Sequence, residues 1–161
     1  MKKEDTAVLL EIFCSTAEKQ AFAFGAECTR EELPEPAAGE ALMLSSITFK
    51  GPYCGIIMLA YSESLAKAVA SNTLGTDDES EITFEQESDA MAELLNVICG
   101  QFLTAVEGEI PVFDLTVPHC RRIEKDEWES FRKSNDFLCV NVDESPAIVT
   151  MKLIDCDDIQ S

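Results

Sequence analysis

The sequence predicts one α+β domain: a mainly antiparallel sheet packed with two long helices and an N-terminal helix. The length of 161 residues suits a single domain covering 1–161 and is enough to bury a real core. The predicted elements run helix, two strands, two helices and then three or more strands, with no internal repeat. Apolar residues make up 46% of the chain and charged residues 27%, which is ordinary for a globular protein.

The chain is strongly acidic, and this restricts its partners. It has 31 Asp and Glu against 12 Lys and Arg, a formal net charge of −19. Such a chain repels phosphate backbones and anionic lipids, so we expect neither nucleic acid nor membrane partners. We find no run near the roughly 20 apolar residues that span a bilayer. The N-terminus lacks a signal-peptide pattern, so a cytoplasmic location is expected.

The seven cysteines predict free thiols rather than disulfides. Their number is odd, no C-x-x-C is present, and several lie in apolar runs. Buried thiols behave as small hydrophobic groups, and a reducing cytoplasm leaves them unpaired. His119 and Cys120 are adjacent and isolated, so no metal site is expected and no cofactor is assigned to the chain.

The first half of the chain predicts a helix, a loop and a hairpin. Residues 6–24 have apolar side chains at helical spacing, and Gly25 is positioned to end that helix. The two prolines and the glycine in 31–39 mark a loop. Residues 41–49 and 53–61 are apolar, β-prone runs on either side of Lys-Gly-Pro, the pattern of a hairpin.

The second half predicts three helices and three more strands. Ser62 begins a helix that Gly75 ends, and an acidic loop occupies 76–81. A long helix follows over 84–107, stopped by Gly108 and Pro111. Residues 112–117 resemble a strand, 125–133 a short helix around Trp128, and 137–142 with 147–154 a second hairpin.

The long helix separates an apolar side from a polar one. At about 100° per residue, one side carries a full core stripe: Met91, Leu94, Leu95, Ile98, Phe102 and Ala105. The opposite side carries four residues within about 60° of one another: Asp89, Glu93, Asn96 and Gly100. Ala92 and Cys99 flank this polar stripe, and neither is bulky enough to shield it from an approaching surface.

Two residues of the polar stripe are unfavourable in a helix. Asn competes for backbone hydrogen bonds, and Gly100 costs about 1 kcal/mol relative to Ala. Local misfits of this kind concentrate at functional sites. Glu-x-x-Asn is nevertheless a short pattern, and periodicity alone favours an ordinary solvated face.

The wider pattern resembles the CheC/CheX family of chemotaxis phosphatases. The residues that carry the resemblance are Asp89-x-x-x-Glu93-x-x-Asn96, Gly100, and Pro118 at the end of Asp-Leu-Thr-Val-Pro. The segment Tyr-Ser-Glu-Ser-Leu-Ala-Lys-Ala-Val-Ala-Ser-Asn-Thr-Leu-Gly is similar to the helix before this motif in CheX. The resemblance covers about 41–118, and the single motif copy places the chain nearer to CheX than to CheC.

The resemblance implies a phosphatase for the aspartyl phosphate of a CheY-type response regulator. Asn96 would orient the attacking water, and Glu93 would pair with the regulator's active-site lysine. The regulator would supply Mg²⁺. Asp89, Ala92, Cys99 and Gly100 would contact the regulator, and Pro118 would be structural. The family also implies a homodimer in which sheet edges meet, and we expect the apolar strands of 137–154 to need such cover.

Two alternatives remain open. The first is a CheX-like module that binds a response regulator or a flagellar switch component without hydrolysis; retention of both Glu93 and Asn96 favours the enzyme over it. The second is a conventional enzyme with its own pocket. The sequence disfavours the second, because it has one histidine, no glycine-rich phosphate loop and no recognisable Ser-His or Cys-His arrangement.

Overall fold

A seven-stranded sheet organises the chain in the computed structural model, which describes residues 3–159. Helices and strands follow one another in this order: α1 (Lys3–Ala21), β1 (Gly25–Cys28), β2 (Leu42–Lys50), β3 (Cys54–Ser62), α2 (Glu63–Leu74), α3 (Phe84–Glu107), β4 (Asp114–Leu115), β5 (His119–Ile123), α4 (Lys125–Lys133), β6 (Leu138–Val142) and β7 (Ser145–Ile154). Short 3₁₀ turns occupy Glu79–Glu81 and Cys156–Asp158.

The sheet is antiparallel, as predicted. Its strand order is β1-β6-β7-β3-β2-β4, with β5 also pairing with β2, and every pair of described strands is antiparallel. Side chains alternate between the two faces. Helices α1, α2 and α3 cover one face and form the main core with it, while α4 and Leu33 cover a smaller apolar cluster on the other face.

Several predicted elements are confirmed at or near their expected bounds. Helices α3 and α4 cover the predicted ranges, and α3 begins with a capping box between Thr83 and Gln86. Gly75 ends α2 in the left-handed conformation, with φ 69°. The hairpin of β6 and β7 turns through Asp143 and Glu144, both at positive φ, as tight hairpin turns require.

Other predictions are wrong, for the end of the first helix and for the outer strands of the sheet. Helix α1 ends at Ala21, and Gly25 begins strand β1 instead of ending the helix. The strand expected over 112–117 shrinks to Asp114–Leu115. Strand β5 was not predicted, because His119–Ile123 has little apolar alternation. It forms through backbone pairing with β2, where Ile123 lies opposite Leu42.

The prediction of seven free thiols is wrong for two of them. Cys54 and Cys156 form a disulfide across a separation of 102 residues, and the other five are free. The reason is the pairing of β3 with β7: Cys54 lies opposite Ile154, so the chain just after β7 passes beside it.

Helix α3 is also more apolar than we expected from the sequence. By length and hydropathy alone its 24 residues could cross a membrane, which contradicts the expectation that no segment approaches this limit. In the fold the apolar side of α3 is part of the main core, and the core helix of a globular protein passes the same test.

The edges of the sheet differ from those expected. Strand β6 is paired with β1 on its outer side, and β7 lies between β6 and β3. The cover expected for the strands in 137–154 is therefore provided by β1 within the chain, and the homodimer stays a prediction. The outer strands are β1 at one side of the sheet and β4 with β5 at the other.

Candidate functional site

Helix α3 presents its polar stripe away from the core. Met91, Leu94, Leu95, Ile98 and Phe102 are buried as predicted. Ala105, expected in the same stripe, is exposed, and Leu103 is buried in its place. In its last turn the helix therefore buries a face that is rotated relative to the predicted core stripe.

The stripe residues differ in their accessibility. Asp89 and Glu93 are exposed, while Ala92, Asn96 and Gly100 are half-buried. Cys99 is fully buried in the main core, so its thiol is not available to a partner, and that part of the predicted contact surface is wrong. At i and i+3 on one helix, Glu93 and Asn96 are neighbours on the surface.

A shallow groove of about 350 Å³ runs along this stripe. One wall is helix α3 and the other is the segment that joins β4 to β5. The lining residues are Asp89, Ala92, Glu93, Asn96, Leu115, Thr116, Val117 and Pro118. The groove thus joins four of the predicted site residues to Pro118 of the motif, while Gly100 lies outside it.

Hydrogen bonds from β2 hold the second wall in place. The backbone N–H of Thr116 donates to the carbonyl of Thr48 at 2.9 Å. The N–H of Thr48 donates to Thr116 Oγ1 at 3.0 Å, and the two hydroxyls lie 2.8 Å apart. These bonds position Val117 and Pro118 opposite the helix.

Leu115, Thr116 and Val117 are groove residues that the sequence analysis missed. Only Pro118 was marked by the motif, and no local pattern identifies its three neighbours. Val117 is 86% exposed, and Ile110 and Val112, which lie in the connection from α3 to β4 and outside the groove, are also largely exposed. The groove therefore has an apolar rim beside its polar wall.

Three polar side chains on the helical wall of the groove have no partner among the described residues. Asp89, Glu93 and Asn96 form no side-chain hydrogen bond or ion pair with any residue in 3–159. A carboxylate and a carboxamide in this state are available to a molecule that enters the groove, the first as an acceptor and the second as both donor and acceptor.

Gly100 leaves the helix surface open just beyond the groove. A Cβ at this position would have no heavy atom within 4 Å, so packing does not require glycine here. The hydroxyl of Thr104 donates to the Gly100 carbonyl at 3.0 Å. Because glycine has no side chain, nothing projects from this turn of α3 towards an approaching surface.

Contacts at each end keep α3 in position. Near its start, the Arg122 guanidinium lies 5.2 Å from the centre of the Phe84 ring. At its end, the Tyr53 hydroxyl donates to Glu107 Oε1 at 2.6 Å. Burial raises the pKa of Tyr53, and the Glu107 carboxylate raises it further, so the phenol remains a donor. The site is therefore carried by a helix that is anchored at both ends, not by a loop.

The described residues do not form a metal centre. Within 3–159, no group of three or more His, Cys, Asp or Glu side chains is arranged to hold a metal ion. The groove itself contains two carboxylates, Asp89 and Glu93.

Comparison with known proteins identifies relatives of this chain. The family model described as "Chemotaxis phosphatase CheX" matches residues 43–141. No curated protein matches the sequence significantly.

Solved structures with the same fold include three chemotaxis proteins. A CheX from Desulfovibrio desulfuricans has a TM-score of 0.66 at 15% identity, covering 94% of this chain and 99% of its own. A CheX from Vibrio vulnificus scores 0.63 at 15% identity, with 92% and 97% covered. A CheX-CheY-BeF3-Mg complex from Borrelia burgdorferi scores 0.61 at 20% identity, with 92% and 96% covered. At these identities the likeness shows the fold.

Proposed function

The chain belongs to the CheX family of chemotaxis phosphatases, and from this membership we propose that it hydrolyses the aspartyl phosphate of a CheY-type response regulator. The observation that carries the proposal is the pair of Glu93 and Asn96, adjacent on one face of α3, in one groove, and without partners within the described chain. The Borrelia burgdorferi structure, in which a CheX of this fold is complexed with CheY, supports the choice of partner.

Asn96 is the catalytic residue in this proposal. An acyl phosphate held by the regulator's own groups needs little covalent help, and the missing component is a water in line with the P–O bond. A carboxamide can accept a hydrogen bond from that water and donate one to the phosphoryl group without titrating. Positioning the nucleophile in this way can supply several kcal/mol of the barrier.

Glu93 acts in docking. Its exposed carboxylate lies one turn before Asn96 and would pair with the regulator's active-site lysine. In water such a pair contributes at most about 1 kcal/mol. Enclosed in an interface, it sets the register of the two proteins and rejects wrong partners.

The magnesium ion belongs to the regulator in this scheme. Mg²⁺ is commonly held by one or two carboxylates together with phosphate oxygens and waters. The regulator's phosphorylation site would offer that set. This chain would add the amide and the carboxylate that complete the site only in the complex.

The remaining parts of the proposal concern assembly and location. We place the protein in the cytoplasm with its regulator. We also propose a homodimer, with the contact moved from the last strands to an outer strand, β1 or β5, whose unpaired backbone groups can receive a second copy.

A phosphate-release assay tests the function. Phosphorylated CheY-type regulators of the source organism are mixed with the wild-type chain or with Asn96→Ala, and inorganic phosphate is followed over time. Release that the wild type accelerates and the variant does not supports the proposal. Binding of a phosphorylated regulator without acceleration would replace it with the non-catalytic binding module.

A further inference from the structure

Two free cysteines lie directly opposite each other at one side of the sheet. Cys28 in β1 and Cys139 in β6 are register partners in an antiparallel pair. The carbonyl of Phe24 accepts the N–H of Asp143 in the same ladder. Bonded and non-bonded pairs alternate along such a ladder, so 28 and 139 form a hydrogen-bonded pair.

The Cα spacing of this pairing lies within the range of disulfides, and bond formation requires the two Cβ atoms to approach each other by about 1 Å. Cα atoms of a hydrogen-bonded pair are about 5.5 Å apart, and disulfides span about 4.4–6.8 Å. Residues directly opposite each other also project to the same face of the sheet. Both cysteines belong to the smaller apolar cluster, on the face covered by α4.

Other free cysteines are poorly placed to compete. Cys14 of α1 lies on the opposite face, where a Cβ at Gly25 would be 3.3 Å from its sulfur. Cys99 is buried in the main core. Cys120 lies in β5, on the far side of β2, and contacts the Tyr61 hydroxyl.

From this juxtaposition we infer that Cys28 and Cys139 form a modification site, a dithiol that low-molecular-weight disulfides convert into a cross-strand disulfide. The Cys28 thiolate attacks the small disulfide and releases one thiol, leaving a mixed disulfide. The Cys139 thiolate then attacks the Cys28 sulfur and expels the second thiol. Two protein thiols lose two protons and two electrons, and the small disulfide is reduced to two thiols.

Accessibility sets the order of these steps. Cys28 is half-buried, whereas Cys139 is 5% exposed, so the incoming reagent meets Cys28 first. Burial raises the pKa of Cys28, and the nearby Cys139, Glu32 and Glu27 raise it further. The first step is therefore slow near neutral pH and faster at higher pH.

Cys139 has a different environment. Burial raises the pKa of its thiol, and Glu31 adds to this, but Arg30 and Arg132 oppose both. These guanidiniums also bond the local backbone, since Arg132 donates to the Arg30 carbonyl at 3.2 Å. The Cys139 thiol is thus shielded from reagents, while the two positive charges favour its thiolate form. Once formed, the bond would pin the outer strand β1 to β6.

Peptide mapping tests the inference. The folded full-length protein is incubated with oxidised glutathione at mildly alkaline pH, remaining thiols are blocked, and the chain is digested with trypsin. Cleavage gives peptides 20–30 and 134–152, each with one cysteine. We expect these two peptides to become cross-linked, separately from the pair that contains the Cys54–Cys156 bond.

Three variants sharpen the result. Cys139→Ser should accumulate a glutathione mixed disulfide on Cys28, because the second thiol is missing. Cys28→Ser should give no cross-link and leave Cys139 unmodified. Cys14→Ser, the matched control, should cross-link as the wild type does. The inference is overturned if wild-type Cys28 stops at the mixed disulfide, pairs with Cys14, or does not react, and the wild-type map alone decides this if a variant fails to fold.

Discussion

Glu93 and Val117 line the same groove, although one lies on helix α3 and the other on the connection from β4 to β5. The carboxylate is exposed on the helical wall, and the valine side chain, 86% exposed, stands on the wall that Thr48 and Thr116 anchor to β2. A wall of carboxylates facing an apolar one is suited to a protein partner that presents a basic group beside an apolar patch.

Replacing Asn96 by Ala should abolish stimulated dephosphorylation without unfolding the protein. The side chain is half-buried and makes no hydrogen bond within residues 3–159, so its loss leaves no buried polar group unpaired. Loss of water placement should lower the rate by about 100-fold or more. Phosphate release measures the rate, and Asn135→Ala, an exposed asparagine outside the groove, is the control. Full activity in Asn96→Ala would contradict the assigned role.

Replacing Glu93 by Gln should weaken docking. If the carboxylate pairs with a lysine in the interface, removing its charge should raise Kd for the phosphorylated regulator by at least about tenfold. Titration calorimetry at two salt concentrations measures Kd, and the variant should be less sensitive to salt than the wild type. Glu85→Gln removes a charge from the same helix outside the groove and should bind normally. Equal affinities for Glu93→Gln and the wild type would rule out this pairing.

Replacing Val117 by Ser should lower kcat/KM through affinity. Partial burial of a valine against a partner contributes about 1 kcal/mol, which corresponds to about a fivefold change. Steady-state phosphate release should show a higher KM and an unchanged kcat. Leu153→Ser, also at an exposed apolar position but on β7, should leave both constants unchanged. If both variants lose activity equally, the effect is not specific to the groove.

Removing the disulfide should reduce stability. Cys156→Ser opens a link between residues 102 positions apart, and such links typically contribute about 2–4 kcal/mol. Thermal unfolding of the variant should occur at a lower temperature than that of the oxidised wild type. A reducing agent should lower the wild-type Tm to a similar value and leave the variant unaffected. A wild-type Tm that does not respond to reductant would show that this bond does not stabilise the fold.

Replacing Glu87 by Gln should stabilise the protein at neutral pH. This residue is 3% exposed and its Oε2 has no hydrogen-bond partner within residues 3–159. Burial raises the pKa of the Glu87 carboxyl, and Glu63 adds to the shift, while Lys67 and Arg122 oppose it.

The direction of this pH dependence follows from the difference in proton binding by Glu87 between the folded and unfolded states. A folded-state pKa above the unfolded value means that the carboxyl stabilises the fold when protonated, and that this contribution is lost as pH rises through the folded pKa. Relief of a buried, unpaired group is worth about 1 kcal/mol, or about 2–4 °C in Tm. The advantage of Glu87→Gln in thermal unfolding should shrink as pH falls. Glu85→Gln, two residues earlier on the exposed side of α3, should show no such dependence.

Local patterns predicted the helices well and the outer strands poorly. Local sequence signals specify helix α3: a capping box at Thr83, a continuous apolar stripe and Gly108 after its last turn. Strand β1, with the sequence Gly-Ala-Glu-Cys, has no alternation that would mark it, and it exists because β6 offers backbone partners. Ala105 was misplaced because the buried side of α3 drifts around the helix towards Leu103.

The amino-acid sequence alone determined the polar stripe of α3, since the positions of Glu93 and Asn96 on one face follow from 3.6 residues per turn and need no other part of the chain. Its motif also indicated the family that the comparison confirms. Only the tertiary structure decided which segment faces that stripe, that Cys99 is buried, and that Cys54 meets Cys156. These depend on strand pairing between distant segments, which is set by packing and backbone hydrogen bonding across the whole sheet and leaves no periodic signal in any one of them.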